Sequence, residues 1–362
     1  MGADQDIGKR HEDFQRQLQL ALDAPETPPG SSIDVSFLTR YFALAGLPVK
    51  RPRDEMNFVR NTDEFALSIN APTLGIIGGK RDEKHNIGVP WGPKARLLTV
   101  WLSSVAQDPA RRADDRWVDI GPIKAWLASI GVNVHGDSPS RAKEQLVKLS
   151  FATFNMQVRR SGVTLFSNET LIEKGVFGER DLANYAARNL KEVRWPIGLQ
   201  LSRNAFERFR ENSIAIPTQR LARVSHSAMA IDILVFLCYR LPLIEGGDEE
   251  LVTWRQLAAQ FGSREPPSKF RESFDSTIRQ ALDAYPEAQV QITDEGLRLR
   301  HSDPALLRRA FVALPLETSR TSKTPKALKT PMSAEDKRRR LRHRAEDPRA
   351  PDEKGRMTMT GT

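Results

Sequence analysis

Two stretches of this chain spell the same order of elements, and that repetition restricts the fold more than any other feature. Helix, turn, second helix and hairpin follow one another from Val118 to Phe166 and again in a longer stretch from Ile197 to Arg300. In the first stretch, VDIGPIKAWLASIGV gives a short extended piece and then a helix with Ile123, Trp126, Leu127 and Ile130 turned inward. After the turn VNVHGD, Ser138 caps a second helix, SPSRAKEQLVKLSF. There Ala142, Leu146 and Leu149 share one face, and Arg141, Gln145 and Lys148 share another. Phe154–Val158 and Val163–Phe166 read as strands around a basic tip, Arg159-Arg160-Ser161-Gly162. This is the pattern of a winged helix-turn-helix.

The second stretch begins with a strand at Ile197–Leu201, a helix from Ser202 through Phe209, and a helix Ala228–Tyr239 that is apolar nearly all round and therefore buried. LVTWRQLAAQFGS then supplies a strand end and a helix with Trp254, Leu257 and Phe261 inward. KFRESFDSTIRQALDAY follows, with Phe270, Phe274, Ile278 and Leu282 on its core face. Ala288–Ile292, a turn at 293–296, and Leu297–Arg300 complete the second wing.

Ahead of both stretches, Ser36–Leu47 carries Phe37, Leu38, Tyr41, Phe42 and Leu47 at helical spacing, and Pro48 ends it. Glu64–Ile69 alternates as a strand does. In VPWGPKARLLTVWLSSVA, Gly92 is placed as an N-cap with Pro93 at the first helical position, where its missing N–H costs nothing. Leu98, Trp101, Leu102 and Val105 then make one apolar stripe.

The fold class expected is therefore α+β and mostly helical: two winged-helix domains in tandem, with disordered termini. The 362 residues suit about two domains. The boundaries are a flexible lead-in over 1–30, an N-terminal domain over 31–185, a C-terminal domain over 186–315 and a tail over 316–362. That tail holds thirteen Lys/Arg against seven Asp/Glu and no aromatic residue, so it lacks the apolar surface to offset the entropy of ordering. It carries +6 of the chain's net +9. It is either a solvated arm or a polyanion-binding one.

The lone Cys238 excludes an internal disulfide and a cysteine-rich zinc site. The start, MGADQDIGKRHEDF, lacks the apolar core of a secretion signal, and Ile231–Cys238, the longest apolar run, is far too short to span a bilayer. The expected location is the cytoplasm, with no membrane partner.

A helix-turn-helix sets its second helix in the major groove, where Arg and Lys read guanine and Gln reads adenine. Arg141, Gln145 and Lys148 are the candidates in the first unit, with Ser138 and Ser140 at the helix start to meet phosphate. Three such residues are also what an ordinary solvated face shows; the wing with Arg159 and Arg160 at its tip tilts the reading toward DNA. In the second unit Lys269, Ser273, Ser276 and Gln280 share a face flanked by Arg271 and Arg279. Glu272, Asp275 and Asp283 cancel much of that charge. Arg298 and Arg300 alternate with leucines on the wing, either to meet phosphates or as solubilising charge on an edge strand.

Catalytic readings find little support. LGIIGGKR lacks the first glycine of a phosphate loop and has Arg81 where Ser or Thr must hold magnesium. The six histidines are scattered, with no pair at metal-ligand spacing, so neither metal nor cofactor is expected. The histidine-hydrophobe-histidine motif of a rolling-circle nicking enzyme is absent, and Cys238 in an apolar helix reads as packing.

The order of several segments resembles the plasmid-encoded RepA family, the replication initiators of bacterial plasmids. They are FLTRYFALAGLPVKRP, FVRNTDEFALSINAP, GVPWGPKARLLTVWLSSVA, VDIGPIKAWLASIGV, the Gln145-containing helix, AIDILVFLCYRL and VTWRQLAAQFG. The resemblance runs from about Phe37 to about Ser302. It implies a bacterial, plasmid-associated protein without catalysis of its own, which binds repeated double-stranded DNA sites at an origin and helps open nearby DNA. The partners it implies are the host replicative helicase and host initiator proteins, and the wider class of such initiators can form a homodimer. A winged-helix transcription repressor shares the same DNA chemistry and is the alternative; a DNA nickase is a further one.

Overall fold

The computed structural model describes residues 35–302, except 64, 78–82, 109–110, 113, 133–136, 161 and 263–266, and except the side chains of 129, 137, 138, 160 and 267. The lead-in over 1–30, the basic tail over 316–362, the second half of LGIIGGKR and the side chains of Ser138 and Arg160 lie outside the described residues.

The described residues begin with β1 (Val35–Thr39) and a one-turn helix α1 (Tyr41–Leu44), where the spacing of apolar residues predicts a single helix over 36–47. The correction has a physical cause. β1 pairs along its whole length with a strand nearly 180 residues away, from Val35 opposite Pro217 to Thr39 opposite Ser213. Ser36, Phe37, Leu38 and Thr39 are all buried, so both faces of the strand are covered and the period-2 signal is lost.

β2 (Asn57–Asn61) and β3 (Phe65–Asn70) come next, followed by the short pair β4 (Thr73–Leu74) and β5 (His85–Asn86). β3 alternates as its sequence requires, burying Phe65, Leu67 and Ile69. α2 (Gly92–Ala106) starts one residue earlier than expected, with Trp91 as N-cap and Pro93 in its first turn. It carries more than one apolar stripe. Leu97, Leu98, Val100, Trp101 and Leu102 are buried together with Arg96, Thr99 and Ser103, because β1 and three other helices pack around it.

β6 (Trp117–Asp119), α3 (Ile123–Ser129), α4 (Asp137–Phe151), β7 (Thr153–Arg160) and β8 (Val163–Thr170) fall where the first repeat puts them. β9 (Ile172–Val176) and α5 (Asp181–Ala186) follow. The pairing departs from that of an isolated wing. β7 joins β3, giving a four-stranded antiparallel sheet in the order β2-β3-β7-β8 with β8 at its edge. β6 pairs instead with β10 (Gly198–Leu201), which also pairs with β9. That three-stranded sheet crosses the 185/186 boundary expected from sequence.

After β10 run α6 (Arg203–Glu211), β11 (Ser213–Pro217, the partner of β1), α7 (Thr218–Val224) and α8 (Ala228–Arg240). α8 is buried over nearly its whole length, as its composition demands. Then come β12 (Glu249–Thr253), α9 (Trp254–Phe261), α10 (Pro267–Ala284), β13 (Val290–Ile292) and β14 (Gly296–Arg300), with sheet order β12-β14-β13.

A capping box between Thr253 and Gln256 starts α9, and Gly262, at φ 73°, closes it. Trp254, Phe261, Phe270 and Phe274 pack their rings 5.0–6.5 Å apart. Gly296 is needed for close approach: a Cβ there would lie 2.1 Å from the Val252 carbonyl oxygen.

One core runs through both halves, from Leu38 to Leu299. At their junction the buried guanidinium of Arg96 on α2 grips the Asp232 carboxylate on α8 through Nε and Nη2, at 2.7 and 2.6 Å.

Candidate nucleic-acid interface

The expected reading face of α4 is not a surface. Gln145 is 2% and Lys148 1% exposed, which corrects their assignment as base-reading residues. The Gln145 Oε1 accepts the Trp91 backbone N–H at 2.8 Å. The Lys148 ammonium pairs with Glu144 at 2.9 Å and sits 5.6 Å from the centre of the Trp91 ring. Burial pushes the Lys148 pKa down, against the pull of Glu144.

The cover comes from two loop stretches and α5. Tyr185 on α5 donates its O–H to the Ile87 carbonyl, and Lys143 reaches the Val193 carbonyl. Ile87, Tyr185 and Val193 pack against Val147 of α4. Helical periodicity places polar residues on one side but cannot register a loop folded over them.

Replacing Lys148 by alanine is therefore expected to cost stability by about 3 kcal/mol, the low end for breaking a buried pair, since Glu144 keeps slight contact with water. Gln145→Ala strands the Trp91 N–H and should cost about 1–3 kcal/mol. Denaturant unfolding checks both. Unchanged midpoints together with abolished DNA binding would return these two side chains to the DNA face.

What remains at the surface of α4 is its N-terminal end. Arg141 is exposed and Ser140 half-buried. Lys94 on α2 lies close enough to Arg141 that the guanidinium charge adds to burial in lowering the lysine's pKa. Lys143 is lowered in the same way, by burial first, with Lys124 on α3 a nearby like charge. Lys94 and Arg141 thus form one basic pair at the start of α4, while Lys143 and Lys124 form another that Asp181 and Glu192 offset. Sequence reading missed the three lysines, because nothing in their local spacing ties α2 and α3 to the start of α4.

The second candidate face is open. Lys269, Ser273, Ser276, Arg279 and Gln280 are exposed or half-buried along α10, on the side away from Phe270, Phe274 and Ile278. Arg271 is half-buried: it lies over the Trp254 ring at 5.6 Å and pairs with Asp294 at 2.9 Å, which ties α10 to the β13–β14 turn. Arg279 is held by Asp275 one turn earlier, at 2.8 Å.

Arg298 and Arg300 both bind Glu249 across the sheet, at 2.9 and 2.8 Å, and their hydrogen bonds hold that carboxyl below its ordinary range. These two arginines are partly neutralised before any phosphate arrives. Lys269 is exposed and makes no ion pair among the described residues, unlike Arg271 and Arg279 on the same helix.

On the β7–β8 hairpin, Arg159 is exposed, as its place near the tip predicts. It lines a cleft with Arg40, Arg208 and Arg240. Elsewhere, burial pushes the Cys238 thiol up to about 12, consistent with an inert packing role. Among the described residues no group of three or more His, Cys, Asp or Glu side chains converges as metal ligands, and no helix is long and apolar enough to cross a membrane.

No protein-family model matches the chain, and no curated protein matches it. Among solved structures, it is similar to a selenomethionine derivative of domains 2 and 3 of RctB, with a TM-score of 0.42 and 10% identity. That match covers 71% of this chain and 95% of the other. A second structure of RctB domains 2-3 gives 0.41 and 10%, over 72% and 97%. A likeness at this level defines neither a shared fold nor a function.

Proposed function

We propose that the chain is a replication initiator that binds repeated double-stranded DNA sites at an origin, without catalysis of its own. The carrying observation is the arrangement of 228–300: helix, strand, helix, helix and hairpin, with strand order β12-β14-β13 and the polar side of α10 bare. That order and pairing support reading this part as a winged helix, with α10 as its recognition helix. The segment order shared with plasmid RepA proteins supports the step from DNA binding to initiation.

In this reading α10 enters a major groove, with Ser276 and Gln280 at base edges and Lys269 on phosphate. The pair of Arg141 and Lys94 contacts the backbone nearby, and Arg159 contributes from the hairpin. Origin opening and recruitment of a host helicase follow from the same reading.

A circular DNA carrying this gene with its upstream repeats, and no other origin, is expected to replicate in a bacterial host. A repressor would bind the same repeats without supporting replication, and a nickase would cut supercoiled origin DNA when a divalent metal is added.

A further inference from the structure

β8 has a strand neighbour on one side only among the described residues, and it is an unusual edge. Such edges are ordinarily blunted by lysine, proline or inward charge. The six residues Val163–Asn168 read VTLFSN and carry no charge. Val163 is 58%, Leu165 57% and Phe166 74% exposed. The register assigns their faces: Leu165 stands opposite Val158, on the side of Phe65, while Phe166 stands opposite Gln157, on the side of Arg159.

Beside the strand lies a cleft of about 500 Å3 between this sheet and α9–β12. Its cations are Arg40, Arg159, Arg208 and Arg240. Arg208 is paired with the buried Glu169, and Arg240 with Glu250. Arg40 and Arg159 have no acidic partner among the described residues. Arg40 and Arg208 lie 5.7 and 4.8 Å from the centre of the Tyr41 ring.

The surface thus asks for three things at once: backbone hydrogen bonds along an edge, apolar side chains, and carboxylates. Nucleic acid supplies only the anion. A second copy of β8 supplies the first two, but its one carboxylate, Glu169, is buried against Arg208.

The chain holds a segment with all three. Residues 1–34 carry three Lys/Arg and seven Asp/Glu, a net of −4 in a protein of net +9. Within them, Gln17-Leu18-Gln19-Leu20-Ala21-Leu22 alternates at the period of a strand, over the same six residues as the bare edge, with Glu12 and Asp13 before it and Asp23 and Glu26 after it. Eleven Cα-to-Cα steps join Ala24 to Val35, a reach of up to about 36 Å, against roughly 17 Å for β1, whose far end leads into Arg40. Attachment in cis also gives the segment an effective concentration of order millimolar.

We infer that the acidic N-terminal segment around Leu18–Leu22 adds as a strand to the edge of β8, its leucines over Val163 and Leu165 and its flanking carboxylates on Arg40 and Arg159. The inference rests on the edge and its cleft, independently of the DNA-binding reading. It assigns the segment the task of shielding an edge that would otherwise pair with other chains.

Hydrogen–deuterium exchange on the full-length protein at low micromolar concentration tests it. The amides of 163–168 that point away from β7 should exchange about tenfold or more slower than in a Leu18→Ser, Leu20→Ser, Leu22→Ser variant. Arg40→Glu with Arg159→Glu should release them as well. A synthetic peptide of residues 11–27 should restore protection to the leucine variant. Fast exchange in the unaltered protein, or protection untouched by the leucine substitutions, would overturn the inference. So would protection that grows with protein concentration, the mark of a second copy, or protection that appears only when single-stranded DNA is added.

Discussion

Arg96→Ala is expected to remove about 3–5 kcal/mol of stability, the usual consequence of stranding one member of a buried ion pair. All five N–H donors of Arg96 are used. Beyond the two bonds to Asp232, Nη1 donates to the carbonyls of Pro48 and Gly92 at 3.0 and 3.1 Å, and Nη2 donates to Leu47 at 2.5 Å. One planar guanidinium therefore fastens the loop after α1, the start of α2 and the middle of α8. Alanine would leave the Asp232 carboxylate and three carbonyls without their donor in a dry junction.

Lysine would not substitute, since an ammonium cannot present a fork to a carboxylate and to three carbonyls at once. A loss of this size is a large share of the roughly 5–15 kcal/mol that holds a domain folded. Denaturant unfolding followed by circular dichroism measures it. An Arg96→Met, Asp232→Leu double variant should recover part of the loss, because it removes the orphaned charge. If the single variant unfolds at the original midpoint, the pair does not pin the two halves together.

The second large effect is on DNA. Lys269→Ala, Ser276→Ala and Gln280→Ala together should abolish footprints on the origin repeats while leaving the unfolding midpoint nearly unchanged, because all three side chains are exposed. Removing a hydrogen-bonding side chain from a base edge should weaken specific binding by about 1–3 kcal/mol per base pair. The Lys269 change should also flatten the salt dependence by about one counterion. Footprints that survive the triple change would place α10 away from the groove and leave the patch around Arg141 as the main DNA-binding surface.

The contrast between α4 and α10 marks the limit of local sequence pattern. Both helices have clean faces, and in both the apolar side is buried as the spacing says. For α10 the polar side is exposed, and among the described residues no loop covers it as one covers α4. For α4 the same inference fails at Gln145 and Lys148. Residues 87–91, α5 and Val193 fold across it, and these lie from about fifty residues upstream to about fifty downstream. β1 fails for the same reason: its partner β11 is remote, and a strand covered on both faces keeps no alternation.

Local chemistry was enough for much else. The 3.6-residue period placed α3, α4, α8, α9 and α10, the alternation of Phe65, Leu67 and Ile69 placed β3, and Pro93 placed the start of α2 to within one residue. These follow from sequence alone because helix and strand periods are properties of neighbouring residues.

Only the tertiary structure decided which polar faces stay wet, that β6 pairs with β10 and β7 with β3, and that Arg96 meets Asp232 at the heart of the molecule. Those are contacts between distant segments. Their free energy depends on what the rest of the chain excludes from water, which no local spacing encodes.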